Sequence, residues 1–120
     1  MQKSKGTLTM TIINDEAVLR KLGYTPNEPL FKKLQNIKNN TKEYEKIIKH
    51  LLDLHDALQV DKSYAALSNS SDFIKIKIEA QTDEMKQEAL EKVERFRDKF
   101  KAVLQRVEGK DTFYLLGYQH

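Results

Sequence analysis

The residues able to do chemistry in this sequence are few and poorly placed for catalysis. Its three histidines are His50, His55 and His120. His50 and His55 are five residues apart, so on a helix they point about 140° away from each other and cannot share a metal. The sequence contains no His-Glu-x-x-His and no helical Glu-x-x-His pair, the spacings that build zinc and di-iron sites. It has no cysteine, which excludes thiol catalysis, Cys-based zinc sites and disulfides. The serines between 63 and 71 lack a Gly-x-Ser-x-Gly turn, and no glycine-rich phosphate loop is present. Carboxylates such as Glu88 sit four residues before a lysine such as Lys92, the spacing of solvated helix pairs. These readings predict a protein that is not an enzyme, with no catalytic residue, metal or cofactor.

Binding chemistry is better represented. Lys and Arg total 21 against 18 Asp and Glu, a net charge of +3. That excess does not by itself mark a nucleic-acid binder. Lys32, Lys33, Arg95, Arg97, Lys99 and Lys101 nevertheless form the candidate phosphate-contacting set, at one end of the expected fold. Phe113, Tyr114 and Tyr118 fall near that end, and aromatics on a strand beside lysines can stack bases. Ile47, Leu54, Ile76 and Leu90 lie at the margins of the apolar stripes and are the candidate contacts to a protein partner. His55 falls within a stripe, where a packed, hydrogen-bonded histidine is the ordinary expectation.

The elements that position these residues are read from periodicity. Residues 1–6 are polar and expected to fray. Residues 7–13 alternate as a short strand. Asn14 caps a short helix over 15–22, and Gly23 ends it. Asn27, followed by Pro29, starts the next helix. Leu30, Leu34, Ile37, Thr41, Tyr44, Ile48, Leu51, His55 and Leu58 follow a heptad spacing without a stutter, which predicts one helix over about 28–60. Residues 61–71 are a polar connector in which Tyr64–Leu67 could form a helical turn. Ile74, Ile78, Met85, Ala89, Phe96, Phe100, Val103 and Val107 share one helical face, and no Gly or Pro interrupts 72–108. We read one helix there, closed by Gly109; the alternative is a strand followed by a helix whose N-terminus is Thr82-Asp83-Glu84. Residues 112–118 read as a strand.

Two long helices joined by a short connector pack antiparallel. The expected fold is a mostly α, single-domain hairpin of helices 28–60 and 72–108, with short strands at both termini. The apolar stripes are wider than two helices need. That surplus predicts a homodimer completing a coiled-coil-like four-helix bundle. The function expected from this architecture is a helical protein–protein interaction module, an adaptor or assembly chaperone. The alternative is a nucleic-acid-binding protein that uses the basic end. No stretch approaches the about 18 apolar residues of a membrane span, so a cytoplasmic location is expected.

Overall fold

The computed structural model describes residues 13–119. Among these residues the chain forms four α-helices and four strands, not a helical hairpin. The helices are α1 (Asp15–Lys21), α2 (Glu28–Asn40), α3 (Tyr44–Leu58) and α4 (Asp83–Phe100). The strands are β1 (Tyr64–Leu67), β2 (Ile74–Lys77), β3 (Ala102–Arg106) and β4 (Thr112–Tyr118). They make one antiparallel sheet in the order β1-β2-β4-β3. The expected 1–6 tail and all of the 7–13 strand except Ile13 lie outside the described residues.

Local signals hold at several element ends. The Asn14 side chain accepts the Ala17 N–H at 2.8 Å, and the Asn27 side chain accepts the Leu30 N–H at 2.9 Å. Past α1, Gly23 sits at φ +98°, while the Gly23 N–H reaches the Arg20 carbonyl and the Tyr24 N–H reaches the Leu19 carbonyl. This paired arrangement satisfies the last helical carbonyls and needs a left-handed residue at the turn.

The expected 28–60 helix is overturned at Thr41–Glu43. Thr41 is extended and Glu43 left-handed, at φ 52°. Lys42 instead pairs with β4: its N–H reaches the Leu116 carbonyl at 3.1 Å, and its carbonyl accepts the Tyr118 N–H at 2.9 Å. β2 pairs with β4 only as far as Leu115, so the Lys42 segment takes over that edge of β4. Gly117 permits the approach. A Cβ there would lie 2.6 Å from the Lys42 carbonyl oxygen.

The expected 72–108 helix is overturned more completely. Residues 74–77 are β2, α4 starts at its Thr82 cap, and β3 follows. Ile74 and Ile76 are buried while Lys75 and Lys77 face outward, the period-2 pattern of a half-buried strand. Lys101 turns the chain out of α4 in a left-handed conformation, at φ 54°. Tyr64–Leu67 is an edge strand, not a helical turn. Gly109 lies in the β3–β4 hairpin, where the Lys110 N–H reaches the Val107 carbonyl at 3.1 Å. It does not close a helix.

The core explains the width of the stripes. On α3, Tyr44, Ile47, Ile48, Leu51, Leu52, Leu54, His55 and Leu58 are all buried. The helix packs on β1 and β4 and also on α4. α4, with one partnered side, buries only Ala89, Val93 and Phe96. The surface that the surplus apolar residues require is therefore the chain's own sheet. The helical-bundle and coiled-coil expectation fails for this reason.

Candidate nucleic-acid interface

Strand register builds a polar face on the far side of the sheet from α3. Two inner rows, Leu67–Ile74–Leu115–Leu104 and Ala65–Ile76–Phe113–Arg106, run across the strands. Most of their members are buried. Because side chains alternate along each strand, the neighbouring rows face outward. They are Ala66–Lys75–Tyr114–Gln105 and Tyr64–Lys77–Thr112. Every member of these outer rows is half-exposed or exposed. Lys75 thus lies beside Tyr114 across β2 and β4.

Tyr114 is held at its tip and at one side. Its hydroxyl is 3.3 Å from Ser70 Oγ, and Ser70 Oγ is 3.3 Å from Ser68 Oγ. Those hydroxyls, Ser70 first, hold the phenol below its ordinary acidity value, with a smaller contribution from Lys75. The Phe73 ring sits 6.0 Å from the Tyr114 ring, tilted by 31°. A cleft of about 150 Å³ lies alongside, with Ser70, Lys75, Lys77, Lys110, Thr112 and Tyr114 among its lining residues.

The electrostatics of this face favour an anion. Among the described residues, Lys75 and Lys110 have no carboxylate within ion-pair distance; Lys77 pairs with Glu79 at 3.1 Å. Asp111 is engaged elsewhere, by Lys86 at 2.9 Å and by Arg106. The Lys86 hydrogen bond, and after it the Arg106 one, holds the Asp111 carboxyl below its ordinary value.

The residues singled out by sequence are dispersed by the fold. Arg95 and Lys99 line the groove between α3 and α4, and Lys101 joins Lys99 at its end. Arg97 is engaged with its neighbour Asp98 at 2.9 Å, and Lys32 (exposed) and Lys33 (half-buried) lie on α2, which packs with α1. The six therefore do not form one surface. Of the expected protein contacts, Ile47, Leu54 and Ile76 are in the core, and Leu90 is half-buried at its edge. Tyr114 joins Lys75 and Lys77, which the sequence reading had placed on a helix; the Ile-Lys-Ile-Lys alternation was the signal for them. Among the histidines, His120 lies outside the described residues. His55 is buried, and its Nδ1 accepts the Ala65 N–H at 2.9 Å. On its other side, His55 Nε2 lies 2.8 Å from the Gln59 side-chain nitrogen.

The chain matches no family model, no curated protein and no solved structure. Among the described residues no helix is long and apolar enough to cross a membrane.

Proposed function

We propose that this protein binds single-stranded nucleic acid on the outer face of its sheet, by stacking and charge and without catalysis. The observation carrying this reading is the Lys75–Tyr114 pair in register, with Lys77 and Lys110 around the same cleft. A base can stack on an aromatic ring regardless of its identity, worth about 1–3 kcal/mol per base. Lysines beside the ring neutralise the flanking phosphates. The Ser70 and Phe73 contacts restrict the ring before any ligand arrives, which lowers the entropy lost on binding. A four-stranded sheet is only about 14 Å across, so the site fits a few nucleotides and a modest affinity. Of the four residues behind the adaptor reading, Ile47, Leu54 and Ile76 are buried inside the chain.

Fluorescence anisotropy with labelled single-stranded DNA, RNA and a duplex tests this. If Lys75, Lys77 and Lys110 each meet a phosphate, the log–log salt slope is about −2, so affinity falls about 16-fold between about 50 and about 200 mM salt. Tyr114→Ala should weaken binding about 5- to 150-fold, while Tyr114→Phe keeps most of it. No binding at the lower salt, equal binding of the duplex, or an unchanged affinity in Tyr114→Ala would overturn the reading.

A further inference from the structure

The exit of α4 gathers a second set of cations, remote in role from the sheet face. A cavity of about 260 Å³ is lined by Lys46, His50, Lys99, Phe100, Lys101 and Tyr118. Three elements and a backbone break are needed to assemble it. Lys46 and His50 lie one turn apart on α3, on the same side of the helix. Lys99 and Lys101 would point about 200° apart in a continuous helix. The left-handed turn at Lys101 brings both to one cavity. That conformation is costly for a residue with a Cβ. It is held by two backbone hydrogen bonds, Lys101 N–H to the Arg97 carbonyl and Gln119 N–H to the Lys101 carbonyl at 2.7 Å.

We propose that this cavity is a binding site for a phosphate monoester dianion. No carboxylate belongs to its lining. Lys46 reaches Glu43 at 3.2 Å, whereas among the described residues Lys99 and Lys101 have no carboxylate within ion-pair distance. Two ammonium groups are poised over ring faces, Lys99 over Phe100 at 5.4 Å and Lys46 over Tyr118 at 5.5 Å. The His50 ring is stacked on Phe100, 3.8 Å between centroids and 10° from parallel. Neither of its ring nitrogens has a hydrogen-bond partner among the described residues. The volume holds about eight waters, enough for a phosphate and the first atoms of whatever carries it. It is below the range of about 300–1,000 Å³ for drug-sized ligands.

The charges around His50 supply a reporter. Burial, then Lys49, and more weakly Lys99 hold the His50 ring below its ordinary value, against the opposing Asp53. A bound dianion would reverse that balance and raise it, since ligand and proton binding are reciprocally linked.

Inorganic phosphate is titrated into the full chain at constant ionic strength, with the His50 ring resonances followed by NMR. Saturable shifts and a higher His50 pKa with phosphate are the expected result. Lys99→Gln with Lys101→Gln should weaken the site about tenfold or more, with unchanged far-UV circular dichroism. Lys99→Gln alone guards against a folding defect at Lys101 and should show part of the loss. Shifts that never saturate, that chloride reproduces, or that persist at full strength in a folded double variant would overturn the proposal. Repeating the titration with a nucleoside 5′-monophosphate and with a 5′-phosphorylated oligonucleotide identifies the carrier, because each would tighten the same phosphate contact. The site does not depend on the sheet-face reading: Tyr114→Ala should leave the His50 response intact.

Discussion

Replacing Gly117 with alanine attacks the contact that breaks the expected long helix. The new Cβ would sit 2.6 Å from the Lys42 carbonyl oxygen, 2.7 Å from Lys42 Cβ and 2.8 Å from Lys42 N. Two of these are backbone atoms, so no side-chain rotation relieves the clash. Gly117 is also at φ +152°, where an L side chain is strained. Either the Lys42 segment moves off β4 or β4 bends away. Both routes lose the hydrogen bonds from Lys42 N–H to Leu116 and from Tyr118 N–H to Lys42. Two such bonds contribute about 1 kcal/mol each, and overpacking adds about 1–3 kcal/mol, so the expected loss is about 3–5 kcal/mol. Small domains have only about 5–15 kcal/mol in total. The melting temperature should fall by about 12–20 °C. Urea and thermal unfolding followed by far-UV circular dichroism measure this directly. Gly109→Ala, at a hairpin position where a Cβ meets nothing within 4 Å, controls for backbone strain alone and should cost about 1–2 kcal/mol. A Gly117→Ala loss no larger than the Gly109→Ala loss would refute the pairing of Lys42 with β4.

Other perturbations probe separate parts of the structure. Burial holds His55 below its ordinary value of 6.5, opposed by Asp56, so the unfolded chain takes up the proton first. Its contribution is fully present above about pH 6.5 and is lost as pH falls through the window below it. Urea midpoints at descending pH should fall, and less steeply in His55→Leu; equal slopes would refute the assignment. Lys92 donates to Asp61 at 2.8 Å and to the Ala57 carbonyl at 2.9 Å, with the Asp61 side chain 3% exposed. Lys92→Met should cost about 3–5 kcal/mol by stranding that carboxylate, and adding Asp61→Asn should recover part of it in a double-mutant cycle. Thr82→Ala removes the bond to the Met85 N–H and should cost about 1 kcal/mol. In a continuous 72–108 helix it would cost nothing, because alanine is the better helix former.

Much of the local structure was legible in single residues. Asn14, Asn27 and Gly23 end helices by chemistry that involves near neighbours only, and Thr112–Tyr118 reads as a strand from its composition. Lys75 and Lys77 could have been placed on a strand face from Ile76. That residue is 0% exposed and lies off the helical line, so only period 2 explains its burial. Ile74 and Ile78 could not decide the matter, since a spacing of four fits both periods. The heptad through Thr41 and Tyr44 marked burial correctly, both being 4% exposed, but burial is not helicity.

What the amino-acid sequence determined by itself was the helix ends at Asn14, Gly23 and Asn27 and the strand over 112–118. Tertiary structure alone decided where the two long apolar segments break. Lys42 leaves its helix because the exposed edge of a distant strand offers its N–H and carbonyl partners. Lys101 leaves α4 without a glycine because β3 must turn back to pair with β4. The cavity at the end of α4 depends on the break at Lys101, and the sheet-face site on the pairing of β2 with β4. They join residues far apart in the chain through hydrogen bonds that no local pattern records.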